Sequence, residues 1–280
     1  MKDINIVFLN FFSKDDILRA VDSVFKDTQN SSFDIKITVT DSSQNKDGVK
    51  EVLKEKFGEK VEYIDCGGNF GFGHGCNIGF ASTEARYYCT LNPDTVIPEN
   101  SHTIETIINF LDNNKIIGGV GPKLLNLDGS LQYSCYRFDL PSILIKPFKH
   151  INLDKKYAWV RKHADKLEMK DFDHNETRPV DWIMGSAMIV RKEAADKVGF
   201  FDDRFFMYME DSDWCRRLWE AGYPVYYLHD VVIHHVHKRD SAKTPGIFKA
   251  LIKNKLARIH MQSWVKYLWK WRNNHKYYAA

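Results

Sequence analysis

Over its first hundred residues the chain alternates short β-branched runs with amphipathic helical stretches, and that alternation admits few folds. Ile4–Leu9, Ile35–Thr40, Val61–Ile64 and Arg86–Leu91 read as strands, with helices over Asp15–Lys26, Asp47–Phe57 and His74–Ser82. In the first helix Ile17, Leu18, Val21, Val24 and Phe25 recur at helical spacing. This pattern predicts an α/β chain: a Rossmann-like, mostly parallel central sheet flanked by helices. Such sheets bind ligands beyond the carboxyl ends of their strands. Those ends fall at Asn10, Asp41, Asp65 and Asn92-Pro93-Asp94.

The remainder is more mixed. Glu99–Asn113 reads as a helix with Ile104, Ile107, Ile108 and Leu111 on one face, and Leu125–Tyr133 as a hairpin around Asp128-Gly129. Pro141–Arg178 is the least periodic stretch, an insertion with one charged helix near Lys155–Met169. Val180–Val190 reads as a strand broken by Gly185, Asp211–Glu220 as a short helix, Pro224–Tyr227 and Val231–His235 as strands. Ile247–Trp271 reads as a long basic amphipathic helix.

Two hundred and eighty residues, 44% hydrophobic and 28% charged, exclude a disordered or collagen-like chain. Five cysteines without a C-x-x-C pair exclude a zinc ribbon and fit a reducing cytoplasm. Met1-Lys2-Asp3-Ile4 opens no apolar h-region, and no run of about eighteen apolar residues occurs, so no signal peptide and no membrane span are expected. The net charge of +3 hides an asymmetry: residues 237–280 hold eleven Lys and Arg against one acid, Asp240, which leaves residues 1–236 at −7. A basic tail on an acidic body points to an anionic surface as its partner.

Four segments can carry chemistry. Asn69–Gly79, N-F-G-F-G-H-G-C-N-I-G, places four glycines between a strand and a helix, which suits close backbone approach to a ligand and an anion at the helix N-terminus. It matches neither G-x-G-x-x-G nor the P-loop, and a tight connection is its plain alternative. Asn92-Pro93-Asp94 puts a carboxylate at a strand end, where it can hold a hard cation or make an Asx turn. Phe205–Arg217 contains Glu210, Asp211 and Asp213 at a helix start; acids cap such ends, and the same dipole keeps Asp211 ionised, as a general base requires. In His234-His235-x-His237, strand alternation puts the first two imidazoles on opposite faces, so one ligand is expected rather than three.

In order along residues 4–240, these segments resemble the inverting glycosyltransferases of family 2, whose fold is called GT-A. The resemblance runs through Leu9-Asn10-Phe11-Phe12-Ser13, Val39-Thr40-Asp41-Ser42-Ser43, Asn69-x-Gly71-Phe72-x-x-Gly75-x-Asn77-x-Gly79 and Leu91-Asn92-Pro93-Asp94. It continues through Trp182-x-x-Gly185-Ser186-Ala187, Gly199-Phe200-Phe201-Asp202, Phe206-Met207-Tyr208-Met209-Glu210-Asp211-Ser212-Asp213 and Ile233-His234. The N-P-D form and the F-F-M-Y-x-E-D-x-D run are most similar to the rhamnosyltransferase branch, which builds bacterial surface polysaccharides.

The resemblance implies a nucleotide-sugar-binding half over residues 1–100, an acceptor-binding half over 101–240 and a basic tail over 241–280. It implies donor binding by Asn10, Asp41, Asn69, Gly71, Gly75, Asn77, Asn92 and Asp94, with Asp41 on the nucleobase or ribose. Asp94 and His234 would hold Mg²⁺ or Mn²⁺ against the diphosphate. Asp211 would be the catalytic base and Glu210 its neighbour on the acceptor side. Trp182, Gly185 and Asp213 would line the acceptor. Two positions depart from the family pattern: Asn92 stands where the first aspartate of D-x-D is usual, and Phe11-Phe12-Ser13 where Tyr-Asn-Ser is usual.

The implied reaction is a single displacement at the anomeric carbon. The implied donor is dTDP-β-L-rhamnose, with galactofuranose, galactose and glucose donors open. The implied acceptor is a glycan or polyprenyl-diphosphate-linked precursor. The basic helix then suits the inner face of the cell membrane, with aromatics at headgroup depth and Lys near anionic lipid; its alternatives are docking on the body or on a second subunit of a homo-oligomer. No nucleic-acid motif accompanies the charge, so no nucleic-acid partner is expected. Two other classes compete. Sugar nucleotidyltransferases are disfavoured because the loop after the first strand lacks glycine. A non-catalytic sugar-nucleotide-binding scaffold is favoured only by Asn92.

Overall fold

Four parallel strands arise from the β-branched runs: β1 (Lys2–Asn10), β2 (Ile35–Asp41), β3 (Val61–Asp65) and β4 (Ala85–Leu91), in the spatial order β3-β2-β1-β4. The crossovers between consecutive strands are α1 (Lys14–Thr28), α2 (Val49–Phe57) and α3 (Phe72–Ser82). β1 has a neighbour on each side and helices over both faces, so its apolar side chains divide between two cores: Ile4, Ile6 and Phe8 in one, Val7 in the other. The buried Asn5 is tolerated because its amide donates to the Gly79 carbonyl (2.9 Å) and accepts from the Thr38 hydroxyl (3.1 Å). Register pairs Asn10 with Asp41 and Asp41 with Asp65, which sets the three strand ends in one row.

The protein is described here by a computed structural model covering residues 1–139, 142–144, 153–236, 254–274, 276 and 278. After β4 come β5 (Thr95–Val96), α4 (Thr103–Asn113), β6 (Gly119–Leu125), β7 (Leu131–Gln132) and β8 (Cys135–Tyr136). Then follow α5 (Leu153–Lys156), α6 (Ala158–Leu167), β9 (Arg178–Pro179), β10 (Trp182–Ile183), β11 (Ala187–Arg191) and α7 (Lys192–Val198). α8 (Glu210–Glu220), β12 (Val225–His235) and α9 (Lys255–Lys270) complete the described elements. The sheet continues past β4 as β11-β6-β12-β5, with β11 antiparallel to both neighbours and β12 parallel to β6. The result is the expected mostly parallel α/β sheet with helices on both faces.

Several boundaries differ from the sequence reading for physical reasons. The break at Gly185 is complete: β10 pairs with β8 in a separate two-stranded ribbon, and β11 enters the main sheet. The two strands expected near the end are one, β12, whose register against β6 slips between Leu228 and Val232. The expected hairpin forms between β6 and β7, with Leu125 opposite Leu131. β5 and α7 were not expected, being too short for periodicity to register. His237, residues 247–253 of the basic helix and the boundary near residue 240 lie outside the described residues. No helix among the described residues is long and apolar enough to cross a membrane.

Candidate active site

The row of strand ends is organised around Asp41. Its carboxylate is fully buried and accepts five hydrogen bonds. Oδ1 takes them from Asn10 Nδ2 (2.9 Å), the Ser43 amide (2.8 Å) and the Ser43 hydroxyl (2.7 Å). Oδ2 takes them from the Asn45 amide (2.6 Å) and the Tyr63 hydroxyl (2.9 Å). Burial alone would raise this carboxyl, but the Ser43, Asn45 and Tyr63 donors hold it below the ordinary aspartate value. Burial and the bond to Asp41 push the Tyr63 phenol far up, so it stays a donor. Asn10 is equally committed: Nδ2 also reaches Asp47 (3.1 Å) and Oδ1 accepts from the Ser13 amide and hydroxyl (3.1 and 3.0 Å). Asn10 and Asp41 therefore shape the loops at the strand ends, and the aromatic rings those loops expose are Phe11 and Phe12, with Phe70 on the glycine-rich segment.

The glycine-rich segment turns its small residues toward protein. A Cβ on Gly71 would fall 2.1 Å from the Phe206 carbonyl oxygen, at a backbone φ of +109° that also demands glycine. The Phe72 amide donates to that same oxygen at 2.8 Å. A Cβ on Gly75 would lie 2.5 Å from Leu9 Cδ1, so Gly75 serves close packing of α3 on β1. Asn77 binds the Phe201 amide (3.1 Å) and carbonyl (2.9 Å) and reaches Asp203 (3.2 Å). Asn69 closes an Asx turn onto the Gly71 amide (3.2 Å). The segment read from the sequence as a nucleotide cradle also fastens residues 201–206 to the sheet, through the Phe72 amide on Phe206 O and Asn77 on Phe201.

Asn92-Pro93-Asp94 ends β4. The Asn92 amide donates to Ser186 O (2.8 Å), and the Thr95 amide and hydroxyl return to Asn92 O (3.1 and 2.7 Å). Asp94 Oδ1 lies 3.2 Å from His235 Nε2, and His235 Nδ1 lies 2.8 Å from Gln132 Oε1. The histidine that meets Asp94 is therefore His235; His234 pairs with Val96 in register and points to the opposite face of β12. Gln132 and β5, neither singled out from the sequence, decide which imidazole faces the carboxylate. His235 thus bridges Gln132 and Asp94, one ring nitrogen to each. Among the described residues no cluster of three or more His, Cys, Asp or Glu could hold a metal. Asp94 supplies the carboxylate oxygen that Mg²⁺ or Mn²⁺ prefers, with the His235 imidazole beside it.

The acids at the start of α8 divide into two groups. Asp211 Oδ2 accepts from the Gly185 amide (3.0 Å) and Oδ1 from the Ser212 amide (2.7 Å). Gly185 O in turn accepts from the Thr90 hydroxyl (2.9 Å), so Asp211 is tied to the same rim that carries Asn92 and Asp94. Glu210 is buried beside Gly73. Asp213 is turned away from the acceptor role read for it: it is fully buried and accepts from Arg217 Nε (2.8 Å), Lys270 Nζ (2.6 Å) and Trp271 Nε1 (2.9 Å). The helix places Asp213 two positions past Asp211, on the face that meets α9. Trp182, read from the sequence as an acceptor residue, is buried and stacked on Tyr136 with centroids 4.0 Å apart.

α9 docks on the body of the protein. Ser263 and Tyr267 are buried against it, and the Trp264 indole donates to Ile143 O (3.1 Å). Its outward face carries Arg258, Val265 and Trp269, and the exposed Arg272 follows just past its end. All five cysteines are free thiols.

The model of glycosyl transferase family 2 matches residues 4–214, and that of glycosyl transferase family group 2 matches residues 160–272. The chain is 29% identical over 201 residues to the N-acetylglucosaminyl-diphospho-decaprenol L-rhamnosyltransferase of Mycobacterium tuberculosis, covering 68% of this chain and 63% of that relative. It thus spans less than two thirds of that relative's length. It is 29% identical over 243 residues to rhamnosyltransferase WbbL of Escherichia coli K12, covering 83% of this chain and 81% of the relative. The low-salt glycan biosynthesis hexosyltransferase Agl10 of Haloferax volcanii is 25% identical over 221 residues, 78% of this chain and 62% of its own length. Among solved structures, GalNAc-T7 with UDP, GalNAc and Mn²⁺ superposes with a TM-score of 0.65 at 12% identity, over 98% of this chain and 49% of that one. That likeness places the fold in the GT-A class.

Proposed function

The chain belongs to glycosyl transferase family 2, and from that premise we propose that it is an inverting transferase moving L-rhamnose from dTDP-β-L-rhamnose. The acceptor is a hydroxyl on a lipid-linked surface-glycan precursor. The observation that carries this reading is Asp211, an ionisable carboxylate at a helix start, oriented by the Gly185 amide and joined through residues 185–186 to the rim bearing Asp94. As the acceptor oxygen attacks the anomeric carbon, Asp211 takes its proton. The sugar–phosphate bond breaks on the opposite side, the nucleoside diphosphate leaves with the bonding pair, and the anomeric centre inverts. Asp94 and His235 are the residues that would hold Mg²⁺ or Mn²⁺, which when bound neutralises the charge developing on the diphosphate. Asp41 and Asn10 fix the loops against which the nucleotide lies.

The rhamnose donor is supported by the mycobacterial and enterobacterial relatives, both rhamnosyltransferases. The hexosyltransferase relative favours a second reading, the same chemistry with another nucleotide-hexose. A lipid-linked acceptor brings the outward face of α9, with Trp269 and its flanking arginines, to the inner membrane surface.

The deciding experiment measures donor binding and acceptor-free hydrolysis for dTDP-rhamnose, UDP-glucose, UDP-galactose, UDP-galactofuranose and GDP-mannose, each with Mg²⁺, Mn²⁺ or chelator. Selective, metal-dependent binding of dTDP-rhamnose is expected. A UDP-sugar bound in its place discards rhamnose and keeps the mechanism. Asp211→Asn should leave donor affinity intact and lower transfer by about 10²- to 10⁴-fold, the usual contribution of a positioned base; wild-type turnover in this variant overturns the assignment.

A further inference from the structure

Residues 202–213, which deliver Asp211, are held from two sides. The sheet side is the glycine-rich segment, through the Phe72 amide on Phe206 O and Asn77 on Phe201. The other side is α9, and its contacts are regular. The Ser263 hydroxyl donates to Met207 O (2.8 Å), and Lys266 Nζ to Arg204 O (2.8 Å). Lys270 Nζ bonds Asp202 (2.7 Å) and Asp213 (2.6 Å), and the Trp271 indole also donates to Asp213 (2.9 Å). Positions 263, 266 and 270 lie three and four residues apart, so these groups share one helix face. His260, a turn earlier, stacks on Tyr208 with centroids 4.3 Å apart.

Residues 207–209 explain why such support is required. Tyr208 and Met209 both have φ of +69°, two successive bulky residues in a region that disfavours side chains. Such a conformation persists only when its surroundings over-determine it. The ammonium of Lys270 meets the carboxylates at both ends of the segment, Asp202 and Asp213, and so closes it like a clasp. Burial would raise the Asp202 carboxyl, but bonds from Arg204 and Lys270 bring it far below the ordinary value.

We propose that the C-terminal helix is part of the catalytic apparatus, and that Lys270 is a positioning residue: by joining Asp202 to Asp213 it holds the left-handed turn at Tyr208-Met209 in the form that aims Asp211 at the acceptor. This rests on Asp211 being the base. It predicts that the tail contributes to turnover in solution, in the absence of any membrane, and that its effect falls on the chemical step rather than on the donor.

The full chain carrying Lys270→Met tests this, with Lys270→Arg as the conservative variant. In Lys270→Met, kcat should fall about 10²-fold, the cost of a small misplacement of a reacting group, while donor affinity stays within about twofold. Lys270→Arg, which keeps the charge and the donors, should recover most of that loss. Hydrogen exchange gives a readout independent of activity: amides of residues 204–210 should exchange about 10²-fold faster in Lys270→Met, while those of β1–β4 stay protected. Unchanged exchange in 204–210 overturns the proposal. So does unchanged kcat, and so does protection lost throughout the sheet together with donor affinity and without recovery by Lys270→Arg, which marks a purely structural lysine. A wild-type protein that transfers no sugar sinks the transferase reading alone, because the exchange comparison still decides whether Lys270 holds the segment.

Discussion

Asp41 and Asp213 are both fully buried aspartates beside the same candidate site, yet they are held by opposite means. Every bond to Asp41 comes from a neutral donor, and all but two of the five come from residues 43 and 45, within four positions along the chain. Asp213 accepts from two cations and an indole, and two of these three come from the far end of the sequence. The Asp41 side, proposed to bind the donor, is thus built largely by a loop folding on its own backbone, closed by Asn10 and Tyr63. The Asp211 side, proposed to carry the base, is built by distant segments converging on a strained turn. A neutral, mostly local cage loses one hydrogen bond when a partner is removed; a charged, non-local one fails when any partner is lost, because that strands an ion in a dry place.

The largest expected effect therefore lies on the base side. Asp213→Ala removes the carboxylate and leaves Lys270 and Arg217 short of a counter-ion, at a cost of about 3–5 kcal/mol. Urea unfolding should show this as a lower midpoint with the slope unchanged. Asp202 and the carbonyls of Val198 and Phe200, which the two cations also touch, are the groups that would blunt it. A loss below about 1 kcal/mol, the scale of a solvent-screened surface pair, would mean that the buried charge cluster is not what secures this side.

On the donor side, Asp41→Asn keeps the shape but turns an amide NH₂ toward one set of donors. The loss should be about 1.5–3 kcal/mol, the value of hydrogen bonds to a charged group, accompanied by loss of nucleotide binding. Its pH dependence has a definite sign. The folded carboxyl titrates below its unfolded value of about 3.9, so the stability it contributes is complete above that pH and fades as the pH falls through the folded value. The gap between wild type and Asp41→Asn should accordingly be constant at neutral pH and narrow only in acid. A gap that instead widened on acidification would mean the carboxyl is raised, not lowered, and that burial outweighs its donors.

The same contrast explains what could be read from the sequence. The parallel sheet was legible because each strand and helix carries its own period, and the carboxylates at Asp41 and Asp94 were legible because they stand at strand ends. The supports of Asp211 were not. Asn77 meets Phe201 across 124 residues and Trp271 meets Asp213 across 58, and no local pattern encodes either contact. Alternation separated His234 from His235 but could not say which faces Asp94; that choice is made by pairing with β5, a strand of two residues. Nor could the sequence tell that Gly71 and Gly75 make room for the Phe206 carbonyl and for Leu9, because a missing Cβ looks the same in sequence whatever fills the space.

The smallest effect tests whether the donor cage is as local as it looks. Tyr63, like Asn10, is delivered by strand register, from β3 beside β2, where it pairs with Val39. Tyr63→Phe removes one hydroxyl and leaves Asp41 with four donors, so the stability loss should be about 1 kcal/mol, that of a single hydrogen bond. Because the ring sits at the open end of the sheet, its loss of orientation should weaken donor binding by no more than about tenfold, or roughly 1.4 kcal/mol. The carboxyl of Asp41, relieved of one donor, should titrate higher, and the acid limb of the stability curve should move up with it. If Tyr63→Phe instead cost as much as Asp41→Asn, the phenol would be the keystone of the cage, and the donor side would depend on tertiary register as heavily as the base side does.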